Sequence, residues 1–230
     1  MSAAPLITVV VIAKECLPGR VKTRLHPPLS LEEAAVLASA SLSDTLQTVA
    51  ALPAARRILL FDGVTPPPDA HGFDVVPQAS GGLDERLAAV FDLVDGPLLL
   101  VGMDTPQLTP SMLAPVFEPW PDEVDAWFGP ANDGGFWGIA LREPTGDLVR
   151  GVPMSQDDTG RHQLARLAES GLGVGFLQEL TDVDTIDDAR AVSAAAPTTR
   201  FAGTFRDLAT TAVPAPLAFA DASTDGRATL

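Results

Sequence analysis

Short apolar, β-branched runs alternate in this chain with stretches that carry an apolar stripe at helical spacing, and this alternation constrains the fold more than any other feature. "LITVVVIA" (6–13) and "PLLLVGMD" (97–104) show no polar alternation over most of their length. Runs of this kind belong in strands covered on both faces, the usual condition of a parallel sheet. "RRILLF" (56–61), "FDVVP" (73–77), "VDAWFGPA" (124–131), "FWGIALR" (136–142) and "GVGFLQEL" (173–180) add further strands. Between them, Ser30 and Glu33 of "SLEE" predict a capping box. Behind it Leu31, Ala34, Ala35, Ala38, Leu42, Leu46 and Val49 keep helical spacing up to a stop near Pro53. "LDERLAAVFDLV" (83–94), "GRHQLARLAES" (160–170) and a segment capped at Thr185 predict more helices, and Thr109 with Pro110 supplies the cap and first residue of another. The expected fold class is α/β: three layers around a mostly parallel central sheet, over residues 1–196. From Pro197 onward Thr, Ala and Pro dominate without a usable period, so residues 197–230 are expected to be a C-terminal tail or surface wrap.

Composition narrows the function. With 46% hydrophobic residues in 230, the chain can bury a sizeable core. Its 30 acidic against 15 basic residues disfavour nucleic acid and anionic membranes as partners. The apolar stretch from Leu6 to Ala13 is too short for a bilayer and has no basic residue before it, so no membrane insertion is expected. Cys16 is the single cysteine, which excludes an intrachain disulfide and a cysteine-based zinc site and fits a reducing cytoplasm, the expected location. His26, His71 and His162 show no metal spacing.

Against this acidic background, "VVIAKECLPGRVKTRL" places Lys14, Arg20, Lys22 and Arg24 around Gly19 directly after the first strand. Glycine lets a backbone approach a phosphate, arginine offers forked donors, and lysine adds a compact charge. Other polar signatures follow other strands: Asp104 in "GMDTP", Asp133, Gly134 and Gly135 in "NDGG", and Asp184 in "DVDT". Ligands of open α/β sheets bind beyond the carboxyl ends of the strands, where all of these fall. Asp104 and Asp184 suit a divalent cation, Mg2+ or Mn2+, which binds through one or two carboxylates and substrate phosphates. Asp133 suits substrate hydroxyls, with Gly134 and Gly135 leaving room for them. Each signature has a bland counterpart: a solvated basic loop, an Asx turn before Pro106, a hairpin turn at "NDGG", and helix-terminal charges at Asp182 and Asp184.

"AKECLPGRVKTRL", "GMDTPQLTP", "GPANDGGFWGIALR" and "DVDTIDDA", in this order, resemble the DUF2064 family of glycosyltransferase-like proteins, a branch of the GT-A nucleotide-diphospho-sugar transferase superfamily. The opening and the "DTPQLTP" stretch are also similar to 2-phospholactate guanylyltransferases. The resemblance implies a GT-A-like domain and a nucleotide-dependent transferase. It assigns donor phosphates to Gly19, Arg20, Lys22 and Arg24, with Lys14 beside them, and metal to Asp104 and Asp184. "QASGGLDERL", with Gly81 and Gly82, stands where relatives contact base or sugar. Glu15, Cys16 and Leu17 replace the family's usual small residues and proline, and Asp84 a usual glycine.

The leading expectation is glycosyl transfer from a nucleotide-diphospho-sugar, with Lys22, Asp104 and Asp133 catalytic. Nucleotidyl transfer from an NTP to a phosphorylated small molecule, and nucleotide binding without turnover, stay open. The expected partners are a nucleotide or nucleotide sugar and a small-molecule acceptor; homo-oligomerisation is left open.

Overall fold

The first apolar run becomes β1 (Thr8–Lys14), an inner strand of the sheet in the computed structural model, which describes residues 6–211. Its Val9 and Val11 pack into the core on one face and Val10 into the core on the other, as a strand covered on both sides requires. α1 (Leu31–Ala50) follows, entered through the reciprocal capping box of Ser30 and Glu33. Then come β2 (Arg56–Asp62), β3 (Asp74–Pro77), α2 (Leu83–Leu93), β4 (Leu98–Val101) and the short α3 (Ala114–Phe117). β5 (Ala126–Pro130), β6 (Phe136–Leu141), α4 (Thr159–Glu169), β7 (Val174–Phe176), α5 (Ile186–Ala195) and α6 (Arg200–Thr211) complete the described chain.

The strand order is β3-β2-β1-β4-β6-β5-β7, and only β6 runs against its neighbours. On one face Leu42, Leu46 and Val49 of α1 meet Val9, Val11, Leu59 and Leu99; on the other, Leu87, Val90 and Phe91 of α2 and Leu167 of α4 meet Val10, Ile58, Leu60 and Leu100. The three-layer, mostly parallel α/β architecture is the one expected. Among the described residues no helix is long and apolar enough to cross a membrane.

Three local expectations are corrected. The helix at Thr109–Pro110 is only a 3-10 turn (Pro110–Leu113) running into the one-turn α3, because Pro115 and Pro119 remove backbone donors and stop propagation. β7 keeps three residues of the longer expected strand: pairing with β5 is interrupted where the Gln178 carbonyl accepts from Trp137 Nε1–H at 3.0 Å, and it resumes as a single bridge between Ala131 and Leu180. Residues 200–211, within the stretch expected to be a tail or surface wrap, form α6, and residues 212–230 of that stretch lie outside the described residues. Phe201 and Phe205 of α6 are buried against Leu37 of α1 and Ala189 and Val192 of α5.

Candidate active site

β1 has β2 on one side and β4 on the other, so the connections after β1 and β4 diverge from one crevice at the carboxyl edge. Such a switch point is the usual ligand site of an open α/β sheet. β1 ends there at Lys14, in register with Asp62 of β2, and β4 delivers Gly102, Met103 and Asp104. Met103 fixes that delivery: its carbonyl accepts from Ser41 Oγ at 2.7 Å, and its Sδ accepts from the Lys14 N–H at 3.3 Å.

The cationic loop starts with a Pro-Gly turn, closed by the Arg20 N–H donating to the Leu17 carbonyl at 3.0 Å with Gly19 at φ +74°. Glycine takes this left-handed conformation without a Cβ clash. Further on, Val21, Leu25 and Leu29 are buried and anchor the loop, each side chain contributing roughly 1.5–3 kcal/mol. Lys22 itself is left-handed, at φ 48° and ψ 38°, a conformation that costs a side-chain-bearing residue about 1–2 kcal/mol.

The Lys22 side chain turns inward and is only 9% exposed, with Nζ 3.0 Å from Asp104 Oδ1 and 2.9 Å from Asp184 Oδ1. Burial alone would lower its pKa, but the charges of Asp104 and Asp184 outweigh that and hold the ammonium well above the ordinary lysine range. Asp184 follows the same logic. Burial pushes it up, yet the Lys22 charge and hydrogen bond, with Arg24 3.6 Å away, leave it below the usual carboxylate value. Asp184 is set beside Asp104 by the backbone, the Val183 N–H donating to the Asp104 carbonyl at 3.1 Å. The following helix fixes the turn through the reciprocal Thr185–Asp188 cap.

Asp182 joins this centre. Burial, then the charge of Asp104, then Asp133 and Asp184 raise it, against the opposing pull of Lys22, to about 7. From the sequence alone Asp182 carries only the bland role of a helix-terminal charge. The available signal was period two: in the extended "DVDT" the first and third residues share a side.

Other expected residues divide around this centre. Lys14 and Arg20 line a pocket of about 130 Å³ with Glu15 and Asp62, and their side chains make no ion pair among the described residues. Arg24 is largely exposed but paired to Asp184. Gly81, at φ +110°, precedes Gly82, the N-cap of α2, and the loop leading to them is tied to β1 at Gln78, whose Nε2 donates to the Ala13 carbonyl at 2.9 Å.

Asp133 sits in the turn between β5 and β6, where its Oδ1 accepts from the Gly135 N–H at 2.9 Å. The expectation that Gly134 leaves room for a substrate is corrected. A Cβ at Gly134 would run into the Asp157 carbonyl oxygen, so its open side is filled by the chain leading into α4. At Gly135 a Cβ would meet Asp133 Oδ1 at 3.1 Å.

The substituted positions also have local roles. Glu15 Oε2 accepts from the Val64 N–H at 2.8 Å, and Asp84 Oδ2 from the Gly151 N–H at 2.9 Å, so each ties down a neighbouring loop. The Cys16 thiol is pushed up to about 11 by burial, then Asp104 and Glu15, against Lys22, and is no nucleophile near neutral pH.

Asp104 and Asp184 fit a divalent cation on an observation of their own. Their Oδ1 atoms converge on one buried cation, Lys22 Nζ, at 3.0 and 2.9 Å, so the two carboxylates already meet at a single cation-sized point. Carboxylate oxygens are the hard donors that Mg2+ and Mn2+ prefer. No group of three or more His, Cys, Asp and Glu residues forms a preformed cage among the described residues. Two carboxylates are the set that leaves positions for phosphate oxygens and water.

The seven-stranded, mostly parallel α/β sheet is a fold shared with a solved structure described as a nucleotide-diphospho-sugar transferase. Residues 43–156 match the DUF2064 family model, described as an uncharacterized protein conserved in bacteria, which bears out the family resemblance. The match includes Asp104 and the "NDGG" turn. A proposed nucleotide-diphospho-sugar transferase from Desulfovibrio desulfuricans G20 superposes with TM-score 0.77 at 22% identity, covering 90% of this chain and 96% of that one. A homolog of Mycobacterium tuberculosis rv0371c from Mycobacterium sp. strain JC1 gives 0.53 at 23% identity, covering 82% and 96%. The inositol-1-phosphate CTP transferase of T. maritima gives 0.54 at 11% identity, covering 85% and 96%. No curated protein matches the sequence.

Proposed function

We propose that this protein is a divalent-metal-dependent glycosyltransferase that takes its sugar from a nucleotide-diphospho-sugar. The observation that carries the reading is the Lys22–Asp104–Asp184 centre, set at the switch point of the sheet beside the Pro-Gly cationic turn. The D. desulfuricans protein, similar over 90% of the chain, supports the choice of donor.

Lys14 and Arg20, whose side chains make no ion pair among the described residues, hold donor phosphate oxygens by charge-assisted hydrogen bonds. Gly81, Gly82 and the N-terminus of α2 lie on the nucleoside side. Asp104 and Asp184 would hold Mg2+ or Mn2+, which when bound stabilises charge on the departing nucleoside diphosphate. Asp133 has one oxygen engaged by Gly135, and the other accepts from an acceptor hydroxyl and orients it toward the sugar.

Nucleotidyl transfer is the second reading, supported by the likeness to the T. maritima CTP transferase. In that case Arg20 and Arg24 hold the leaving phosphates and Lys22 the α-phosphate. Release of pyrophosphate rather than nucleoside diphosphate separates the two. The carboxylates of Glu15 and Asp84, which motivated a binding protein without turnover, are engaged by neighbouring backbone N–H groups.

A thermal-shift panel of nucleotide sugars and NTPs, with and without Mg2+, tests the reading. A true donor at about a hundred times its Kd stabilises the fold by about 2.7 kcal/mol. We expect a Mg2+-dependent shift with one class of nucleotide sugar and its loss in Asp104→Ala. Undiminished Mg2+-dependent binding in that variant would overturn the metal assignment, and no shift with any nucleotide would overturn the donor.

A further inference from the structure

The space between Asp104 and Asp184 is already taken by a cation. Lys22 Nζ lies 3.0 Å from one carboxylate and 2.9 Å from the other, and its side chain is 9% exposed. The placement is built from the backbone up. A left-handed φ of 48° directs the lysine inward between Val21 and Leu25, both buried. A divalent ion drawn to the same two Oδ1 atoms would compete with the ammonium for one position.

We propose that Lys22 is the resident counter-cation of the Asp104–Asp184 pair, and that it yields its place to a divalent ion only when a diphosphate arrives to receive the ammonium. Metal and nucleotide are then taken up as one unit. The inference rests on the metal-dependent reading above and adds a rule of binding to it.

The charge balance carries the argument. Lys22 and Arg24 balance Asp104 and Asp184, so the resting set is neutral. A divalent ion entering alone makes it net positive by two, in a region where burial weakens solvent screening. A diphosphate cancels that surplus and offers the displaced ammonium new oxygens. Conversely, a diphosphate arriving without metal meets Lys14 and Arg20, while Lys22 and Arg24 stay engaged with aspartates. Each ligand prepares the site for the other, and by linkage the coupling must be equal in both directions.

Equilibrium dialysis of the full chain tests this, with Mn2+ and inorganic pyrophosphate as probes and manganese and phosphorus measured on both sides of the membrane. Wild type is expected to bind Mn2+ at least about tenfold more tightly with saturating pyrophosphate, and pyrophosphate more tightly by the same factor with Mn2+. In Lys22→Met the place is vacated, so Mn2+ alone binds about tenfold more tightly than to wild type and the coupling shrinks. Wild type that binds Mn2+ equally well with and without pyrophosphate overturns the inference and leaves the metal site standing. The absence of Mn2+ binding under every condition, with pyrophosphate still bound, overturns the metal-dependent reading along with it. The wild-type comparison decides the matter even if Lys22→Met does not fold. In a folded Lys22→Met protein, unchanged affinity for Mn2+ alone overturns the role of Lys22.

Discussion

Asp182 is the residue whose charge state is most out of keeping with its type. Burial, followed by the charge of Asp104, raises its carboxyl from 3.8 to about 7. An unfolded chain releases that proton near the ordinary carboxylate value, whereas the folded chain keeps it until about neutral pH. Between those values the folded state binds more protons, so rising pH subtracts stability across the window, by up to about 4 kcal/mol before solvent screening. In chelator, Asp182→Asn should therefore gain stability over wild type from about pH 4 to 7 and hold a constant margin above about pH 8. Urea midpoints across this range check it, and parallel curves would show that Asp182 titrates like a surface carboxylate. Lys22, Asp104 and Asp184, which the structure brings together, could be singled out in the sequence because they follow the apolar runs that became strands. The inward turn of Lys22 could not. A left-handed lysine answers to no local propensity and follows from two aspartates, one of them 162 positions away.

At the scale of elements, the glycines of the "NDGG" turn separate what the sequence conveys from what packing decides. Both Gly134 and Gly151 have positive φ, 86° and 77°. A Cβ at Gly151 would meet nothing within 4 Å, whereas at Gly134 it would strike the Asp157 carbonyl. Gly151→Ala should cost about 1 kcal/mol from backbone strain alone. Gly134→Ala should cost about 2–4 kcal/mol and shift the segment entering α4, because the obstacle is backbone and cannot rotate away. Chemical denaturation of the pair checks the difference, and equal losses would mean that the 154–160 segment yields freely. The turn chemistry of "NDGG" was readable, but the element that fills it was not, because contacts between residues 134 and 157–160 leave no local pattern. The same holds for β7, which periodicity extends to eight residues and which keeps three before its pairing with β5 is interrupted at Gln178, whose carbonyl is engaged by Trp137.

For the whole molecule, the segment expected to be a tail contributes to the support of the site. Phe201, Ala202, Phe205 and Leu208 follow helical spacing, a stripe hidden in the sequence by the surrounding Thr, Ala and Pro. α6 packs them against α1 and α5 in a cluster that also holds Leu25 and Leu29 of the cationic loop and Val183 between Asp182 and Asp184. The start of α6 is tied to α1 by Asp44, whose two oxygens accept from the N–H groups of Arg200 and Phe201 at 3.0 and 2.8 Å. Through this cluster α6 shares its packing with the loop that carries Lys22 and with the residue between Asp182 and Asp184. Phe201, 1% exposed, should lose about 3–5 kcal/mol of stability when truncated to alanine, and Asp44→Ala about 1–2 kcal/mol. If the shared cluster sets the loop, Phe201→Ala should also weaken Mg2+-dependent donor binding several-fold under conditions where the variant remains folded. Asp44→Ala, which loosens the start of α6 and leaves Leu25, Leu29 and Val183 packed, should weaken it less. Calorimetric titration of the two variants decides between the accounts: unchanged donor affinity in folded Phe201→Ala would mean that α6 stabilises the domain and has no part in holding the site.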